Sequence, residues 1–300
     1  MIKYCQGFQR VRNIVIMSNK KYSRVKLEED SRDQMLPFTF DLKPSDLFMI
    51  DGKKGLDKMT ELFPNCKLMG IDTETKPSFK KGMIFPVSII QIAIRTVENR
   101  EFVFVIDLKT LKSEKENMER LDLLLRGSLS DEKCIKVGQS LSQDFIGLRK
   151  HYPYMEAFKG VYPVLEANSF APLLTPTLGQ QLSLKLLVKL HLNCNLVKKE
   201  QMSDWNRRPL SPSQLHYAAC DALVLLRLYD AMLCQVEETR KEFDVSTLFS
   251  RITNEMPAKR KKRKLNSDEA QQNQPLDIYA VNINAQSYSV EISSEQSSLR

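Results

Sequence analysis

Histidine is scarce in this 300-residue chain. There are three, and none stands at zinc-ligand spacing from a cysteine. The six cysteines, Cys5, Cys66, Cys134, Cys194, Cys220 and Cys234, are scattered and form no CxxC pair. A structural zinc site is therefore not expected, and free thiols in a reducing compartment are. No apolar run approaches the roughly 20 residues of a membrane-spanning helix, so no membrane contact is expected. No internal repeat is present. Acidic residues are missing altogether from positions 1–27, which hold seven Lys/Arg, and positions 257–300 hold seven basic against five acidic residues. The net charge of +8 thus resides in the two ends, because positions 28–256 nearly balance at 31 basic and 32 acidic side chains. A pI near 9.1 would ordinarily suggest a nucleic-acid binder. With the charge confined to the ends, targeting explains it equally well.

The apolar share of 42% is enough for a sizeable core. Residues 1–43 read as a basic, disordered leader that also suits a mitochondrial presequence. From there the pattern predicts a short helix within 44–63 and strands at 68–73, 87–94 and 102–108. A helix over 114–125 follows, then a strand at 134–137, a helix over 141–152 and a strand at 161–167. Helices over 182–192 and 213–237 complete the pattern, the last opened by "SPSQ", an N-cap signature. Strands come first and then alternate with helices, which implies an α/β layered domain with a mixed sheet over 44–245. Residues 246–300 read as a disordered tail containing "KRKKRK" at 259–264, a run that resembles a nuclear import signal and would engage an import receptor.

Charges are placed oddly within the apolar stretches. "GIDTET" at 70–75 ends the first strand with Asp72 and Glu74 two residues apart, so both aim at one face. In "VGQSLSQDFIGL", Asp144 sits one turn into a helix, beside the apolar stripe of Leu141, Phe145 and Leu148. In "LHYAACDALVLLRLY", Tyr217 and Asp221 are spaced i, i+4 and share a helix face among apolar neighbours. A buried carboxylate is costly unless paired or metal-bound. Lys and Arg are scarce beside these acids in sequence, so divalent metal is the expected partner.

These three stretches, in this order, resemble the DEDDy group of 3′–5′ exonucleases, in the ribonuclease D and Werner-syndrome exonuclease branch. "LSLKLLVKLHL" and "KKEQMSDWNRRPLSPSQL" resemble the segment that this branch carries before its third motif. The resemblance spans roughly 44–240. It implies a ribonuclease H-like three-layer fold, a mixed central sheet flanked by helices. It also implies hydrolysis of nucleic acid from the 3′ end to 5′-mononucleotides, with two divalent ions, Mg²⁺ or Mn²⁺. Asp72, Glu74, Asp144 and Asp221 are the implied metal ligands, with Asp72 bridging and Tyr217 holding the attacking water. The competing reading is a catalytically silent nucleic-acid-binding module of the same fold.

Substrate grip is expected from Lys76 on phosphate and Phe79 stacked on a base. Trp205, Arg207 and Arg208 are expected to line a single-strand channel. Lys198 and Lys199 read as a solvated face. The chain is expected in the nucleus, with the mitochondrion as the alternative. The choice between DNA and RNA and the oligomeric state stay open at this level.

Overall fold

The computed structural model describes residues 35–40, 42–80, 82–175, 181–240 and 242–253, together with the backbone of two strands, β1 (Ile14–Asn19) and β2 (Tyr22–Leu27), which pair antiparallel. The basic run at 259–264 lies outside the described residues, as do 1–13 of the expected leader.

The centre is a seven-stranded mixed sheet. Its strands are β3 (Leu47–Ile50), β4 (Cys66–Thr75), β5 (Val87–Thr96), β6 (Glu101–Asp107), β7 (Ile135–Gly138), β8 (Gly160–Glu166) and β9 (Ser250–Thr253). Their order across the sheet is β3-β6-β5-β4-β7-β8-β9. β4, β5 and β6 form an antiparallel meander, while β7 joins β4, and β8 joins β7, in parallel. Helices α1 (Lys53–Leu62), α3 (Lys115–Ser130) and α4 (Leu141–His151) contribute to the core on one face. α6 (Leu184–Leu192) and the 28-residue α7 (Pro212–Thr239) contribute to the other, with the short α5 (Ala171–Leu174) beside them and α2 (Leu108–Leu111) following β6. Among the described residues no helix is long and apolar enough to cross a membrane.

Side-chain volume is divided unequally between the faces. β5 and β6 send Ile90, Ile92, Ile94, Phe102, Phe104 and Ile106 toward α1, α3 and α4. Toward the middle of α7 they send the smaller Ala93 and Val103, with Ile89 and Val105 packing nearer its start against Tyr217 and Ala218. α7 answers with Ala219 and Ala222, so the long helix lies close against the sheet. The approach is tightest at Gly70, where a Cβ would meet the Ala222 carbonyl oxygen at 2.5 Å.

The short helix expected within 44–63 is α1, and ahead of it stand a 3₁₀ turn (Pro44–Asp46) and the strand β3, which was not expected and which forms because Leu47–Ile50 finds a parallel partner in Val103–Ile106 more than fifty residues away. Gly55 allows the chain to fold straight back, since a Cβ there would meet Ile50 and Met49 backbone atoms at 2.9 Å. Two boundaries are corrected, the first being the expected disordered leader over 1–43, whose described residues at 35–40 are folded. Phe38 is buried, Leu36 and Phe38 exchange 2.9 Å backbone hydrogen bonds with Asn195, and the Phe40 ring stacks on His216 at 5.2 Å. The second is the expected disordered tail over 246–300, whose described residues up to 253 are folded, since β9 pairs antiparallel with β8 and buries Ile252. The five described cysteines are free thiols, with Cys66 and Cys134 in contact at 3.2 Å.

Candidate active site

β4 carries the first two acids, and the sheet's register leaves them accessible. β7 pairs with β4 only from Leu68 to Gly70 and ends at Gly138. Beyond that point no strand among the described residues lies along that edge of β4, and Asp72 and Glu74 occupy the stretch. Strand alternation sends both side chains to the α7 face, the face of Gly70. Asp221 reaches the same place from α7, one residue before the Ala222 carbonyl that touches Gly70. A ligand oxygen from each of Asp72, Glu74 and Asp221 lies within 4.8 Å of the others. Glu74 and Asp221 are buried and Asp72 is half-buried.

Asp144 arrives from the opposite face, around the open edge. The turn out of β7 is tight: a Cβ on Gly138 would meet Leu141 at 2.7 Å, and Ser140 takes a left-handed conformation at φ 65°. Ser140 does not cap α4 with its own side chain. The carboxylate of Glu166, at the end of β8, accepts from the backbone N–H groups of Ser140 (2.7 Å), Leu141 (3.2 Å) and Ser142 (3.2 Å). A carboxylate on three free amides at a helix N-terminus is favourable for both hydrogen bonding and the helix dipole. One turn later the Thr73 hydroxyl donates to Asp144 at 2.7 Å, tying this acid to the backbone segment between Asp72 and Glu74.

Concentrated negative charge sets the electrostatics. Burial, then the charges of Asp221 and Asp144, hold the Asp72 carboxyl well above its ordinary range. Burial, with Asp72 and Asp221 beside it, pushes Glu74 up to about 10. Asp144 is pushed up to about 7, chiefly by burial, against the opposing Thr73 hydrogen bond. Burial also raises Asp221, although Lys198 and the Tyr217 hydroxyl both hydrogen-bond to it and pull the other way. Burial and the nearby acids raise Tyr217 far above the usual phenol. A bound cation would relieve this crowding of negative charge, and carboxylate oxygens are hard donors that suit a divalent ion.

The cation supplied by the chain itself is a correction to the sequence reading. Lys198 is not on a solvated face. Its ammonium donates to both Asp221 carboxylate oxygens, at 3.0 and 2.9 Å, and to the Tyr217 hydroxyl at 3.3 Å. Lys199 is exposed.

Two expected substrate residues are also reassigned. Trp205 is fully buried against Ile89, Val105 and Tyr217, so it walls the third-motif helix and lines no channel. Arg208 is committed to Asp107 by two 2.5 Å hydrogen bonds and also donates to the Trp205 carbonyl, which makes it a clamp holding the "SDWNRRPL" segment onto β6. Arg207 is exposed. Lys76 is partly exposed and pairs with Asp204 at 2.8 Å. Phe79 is 87% exposed, on the loop that leaves β4, with Met83 and Ile84 also exposed nearby.

Sequence reasoning missed Lys198, Thr73, Glu166 and Gln91. Gln91 stands directly across from Asp72 on β5, fully buried, with no hydrogen-bond partner for its carboxamide among the described residues. "QIA" inside an otherwise apolar strand was the one available signal for Gln91. Nothing local marks Glu166 as the cap of a helix 25 residues before it.

The comparisons with known proteins agree with this geometry. A family model described as 3′–5′ exonuclease matches residues 47–237. An exonuclease mut-7 homolog of Aedes aegypti is 27% identical over 257 residues, covering 79% of this chain and 34% of that protein. Human exosome complex component 10 is 30% identical over 188 residues, covering 61% of this chain and 18% of that protein. The chain therefore spans about a third or less of the length of these relatives. The crystal structure of the Aedes aegypti Nibbler EXO domain superposes with a TM-score of 0.55 at 26% identity, covering 68% of this chain and 94% of that one. With the three motifs meeting on a ribonuclease H-like α/β sheet, the chain belongs to the 3′–5′ exonuclease family, as a DEDDy, ribonuclease D-like member.

Proposed function

We propose that this protein is a metal-dependent 3′–5′ exonuclease that hydrolyses phosphodiester bonds from the 3′ end of nucleic acid and releases 5′-mononucleotides. The observation that carries this reading is the convergence of Asp72, Glu74 and Asp221 within 4.8 Å, on a rigid strand and a rigid helix; Asp144 stands outside that group and is tied to the same strand segment by the Thr73 hydroxyl. Four carboxylates against one ammonium is an excess of negative charge that suits two divalent ions better than one. Such ions, Mg²⁺ or Mn²⁺, would hold the attacking and leaving oxygens of an in-line displacement. Asp72, Glu74, Asp144 and Asp221 would hold the ions, with Glu74 and Asp221 nearest Tyr217 and Asp144 on the side of α4. The Tyr217 hydroxyl orients the attacking water. Burial raises its pKa further, so it serves as a positioner and not as the base.

The 3′ end is received by the loop that leaves β4, with Phe79 exposed for stacking and Lys76 for phosphate. Arg207 is exposed on the neighbouring segment and adds charge to the same approach. The run at 259–264 supports nuclear import through an import receptor.

The test is digestion of matched 3′-labelled DNA and RNA strands by the full chain in Mg²⁺, in Mn²⁺ and in EDTA. Mononucleotide release is expected with either metal and not in EDTA. Asp72→Asn with Glu74→Gln should lower the rate by about 10³-fold or more. Release at the wild-type rate by that double variant would overturn the assignment. Binding without cleavage in both metals would make the chain a silent module.

A further inference from the structure

Lys198 belongs to the irregular connection between α6 and α7, and its ammonium takes up the oxygens on which the proposed chemistry depends. It touches both carboxylate oxygens of Asp221 and the hydroxyl of Tyr217, and lies 5.3 Å from the Tyr217 ring centre. Asp221 is 1% exposed and the Lys198 side chain 22%, so the pair is nearly dry, and charge-assisted bonds there are strong. An ammonium on both oxygens takes up part of the carboxylate's lone pairs and repels a second cation placed beside it. The two cations therefore compete for Asp221.

The surroundings let the ammonium leave without unfolding anything. The loop is fixed three residues earlier, where Asn195 pairs with the 36–38 segment and Leu196 is buried. Val197 and Lys199, on either side of Lys198, are exposed. A four-carbon stem on a fixed backbone can swing from Asp221 to solvent by rotamer change alone.

We propose that Lys198 is a displaceable counter-ion: it and a divalent ion alternate on Asp221, so that Lys198 holds the third-motif acid and Tyr217 in working position and sets how tightly the site takes metal. This inference rests on the exonuclease reading. The exchange makes and breaks no covalent bond, and the ammonium keeps its protons as it moves to water.

The test acetylates the full wild-type chain with an N-hydroxysuccinimide ester, with EDTA or with Mn²⁺, and compares Lys198 with Lys199 by peptide mass spectrometry. Lys198 should be protected in EDTA and label about tenfold faster with Mn²⁺, from the loss of charge-assisted hydrogen bonds, while Lys199 should not change. Lys198→Met should bind Mn²⁺ about tenfold more tightly by calorimetry. Lys198 labelling that does not rise with Mn²⁺ would overturn the proposal, as would a Lys198→Met variant that binds Mn²⁺ no more tightly than wild type. Mn²⁺ binding by Asp72→Asn with Glu74→Gln separates the two readings. If that variant binds as well as wild type, the carboxylate site itself fails. If it binds weakly and the Lys198 results are negative, only the counter-ion role fails.

Discussion

Replacing Gly70 with alanine adds one methyl group where α7 lies closest to β4. The new Cβ would stand 2.5 Å from the Ala222 carbonyl oxygen and 3.1 Å from the Leu225 Cβ. Ordinary contact begins near 3.4 Å, so helix and strand must part by about 0.9 Å at that level. The neighbour that has to move is helical backbone, which cannot rotate away as a side chain tip does. Gly70 is two residues before Asp72, and Ala222 is one residue after Asp221, so the displacement falls on the distance between the two acids. Overpacking of this kind costs about 1–3 kcal/mol. For a domain of this size that is a melting temperature lower by roughly 2–10 °C. A misplacement near 1 Å in a site of this kind costs on the order of 100-fold in rate. The assays are thermal unfolding of the metal-free chain and mononucleotide release from a 3′-labelled strand in Mg²⁺. Gly127→Ala is the control. It lies in α3 with nothing within 4 Å of where the added methyl would stand, and alanine there should stabilise by about 0.5–1 kcal/mol with activity unchanged. Wild-type stability and activity in Gly70→Ala, or equal losses in both variants, would refute the reasoning.

Two other perturbations separate positioning from chemistry. Glu166→Ala removes the acceptor for three amides at the start of α4 and should cost about 1–2 kcal/mol, with faster hydrogen exchange at Ser140–Ser142 and a lower kcat at little change in KM. Unchanged exchange there would remove Glu166 from the site's support. Arg208→Met leaves the Asp107 carboxylate, 1% exposed, without its partner and should cost about 3–5 kcal/mol at neutral pH. In the wild type, burial works against ionisation of Asp107, but hydrogen bonds from Arg208 and Thr110 prevail and hold its carboxyl below the ordinary value of 3.8. That stability is present above pH 3.8 and lost as pH falls through the lower folded value. Without Arg208, only the Thr110 hydrogen bonds oppose burial, so the Asp107 carboxyl should rise and the variant's deficit should shrink on acidification toward about pH 4. A deficit independent of pH in denaturant titrations would contradict the clamp.

Much of the fold was legible because its signals are local. β5 and β6 are dense in Ile, Val and Phe, and both faces of these strands are covered, so they read as near-continuous apolar runs broken in β5 by Ser88 and Gln91. The start of α7 was legible from "SPSQ", where Ser211 and Gln214 form a capping box. β3 and β9 were not. Leu47–Ile50 is as compatible with a helix as with a strand until Val103–Ile106 offers a ladder, and β9 is a four-residue edge strand whose reason to form lies on β8. Trp205 and Arg208 have the side chains of a nucleic-acid channel, and burial against α7 and pairing with Asp107 decide otherwise.

The sequence by itself determined which residues could make a metal centre. Asp72 and Glu74 share a strand face and Tyr217 and Asp221 share a helix face through backbone periodicity alone, and no distant contact is needed to infer either pairing. Only the tertiary structure decided how the pairs meet. The contact of Gly70 with Ala222 sets their separation, the early end of β7 opens the edge through which Asp144 enters, and the α6–α7 connection delivers Lys198 to Asp221. Charge and packing act through distance in space, and for residues on different elements that distance is set by the packed core and not by their order in the chain.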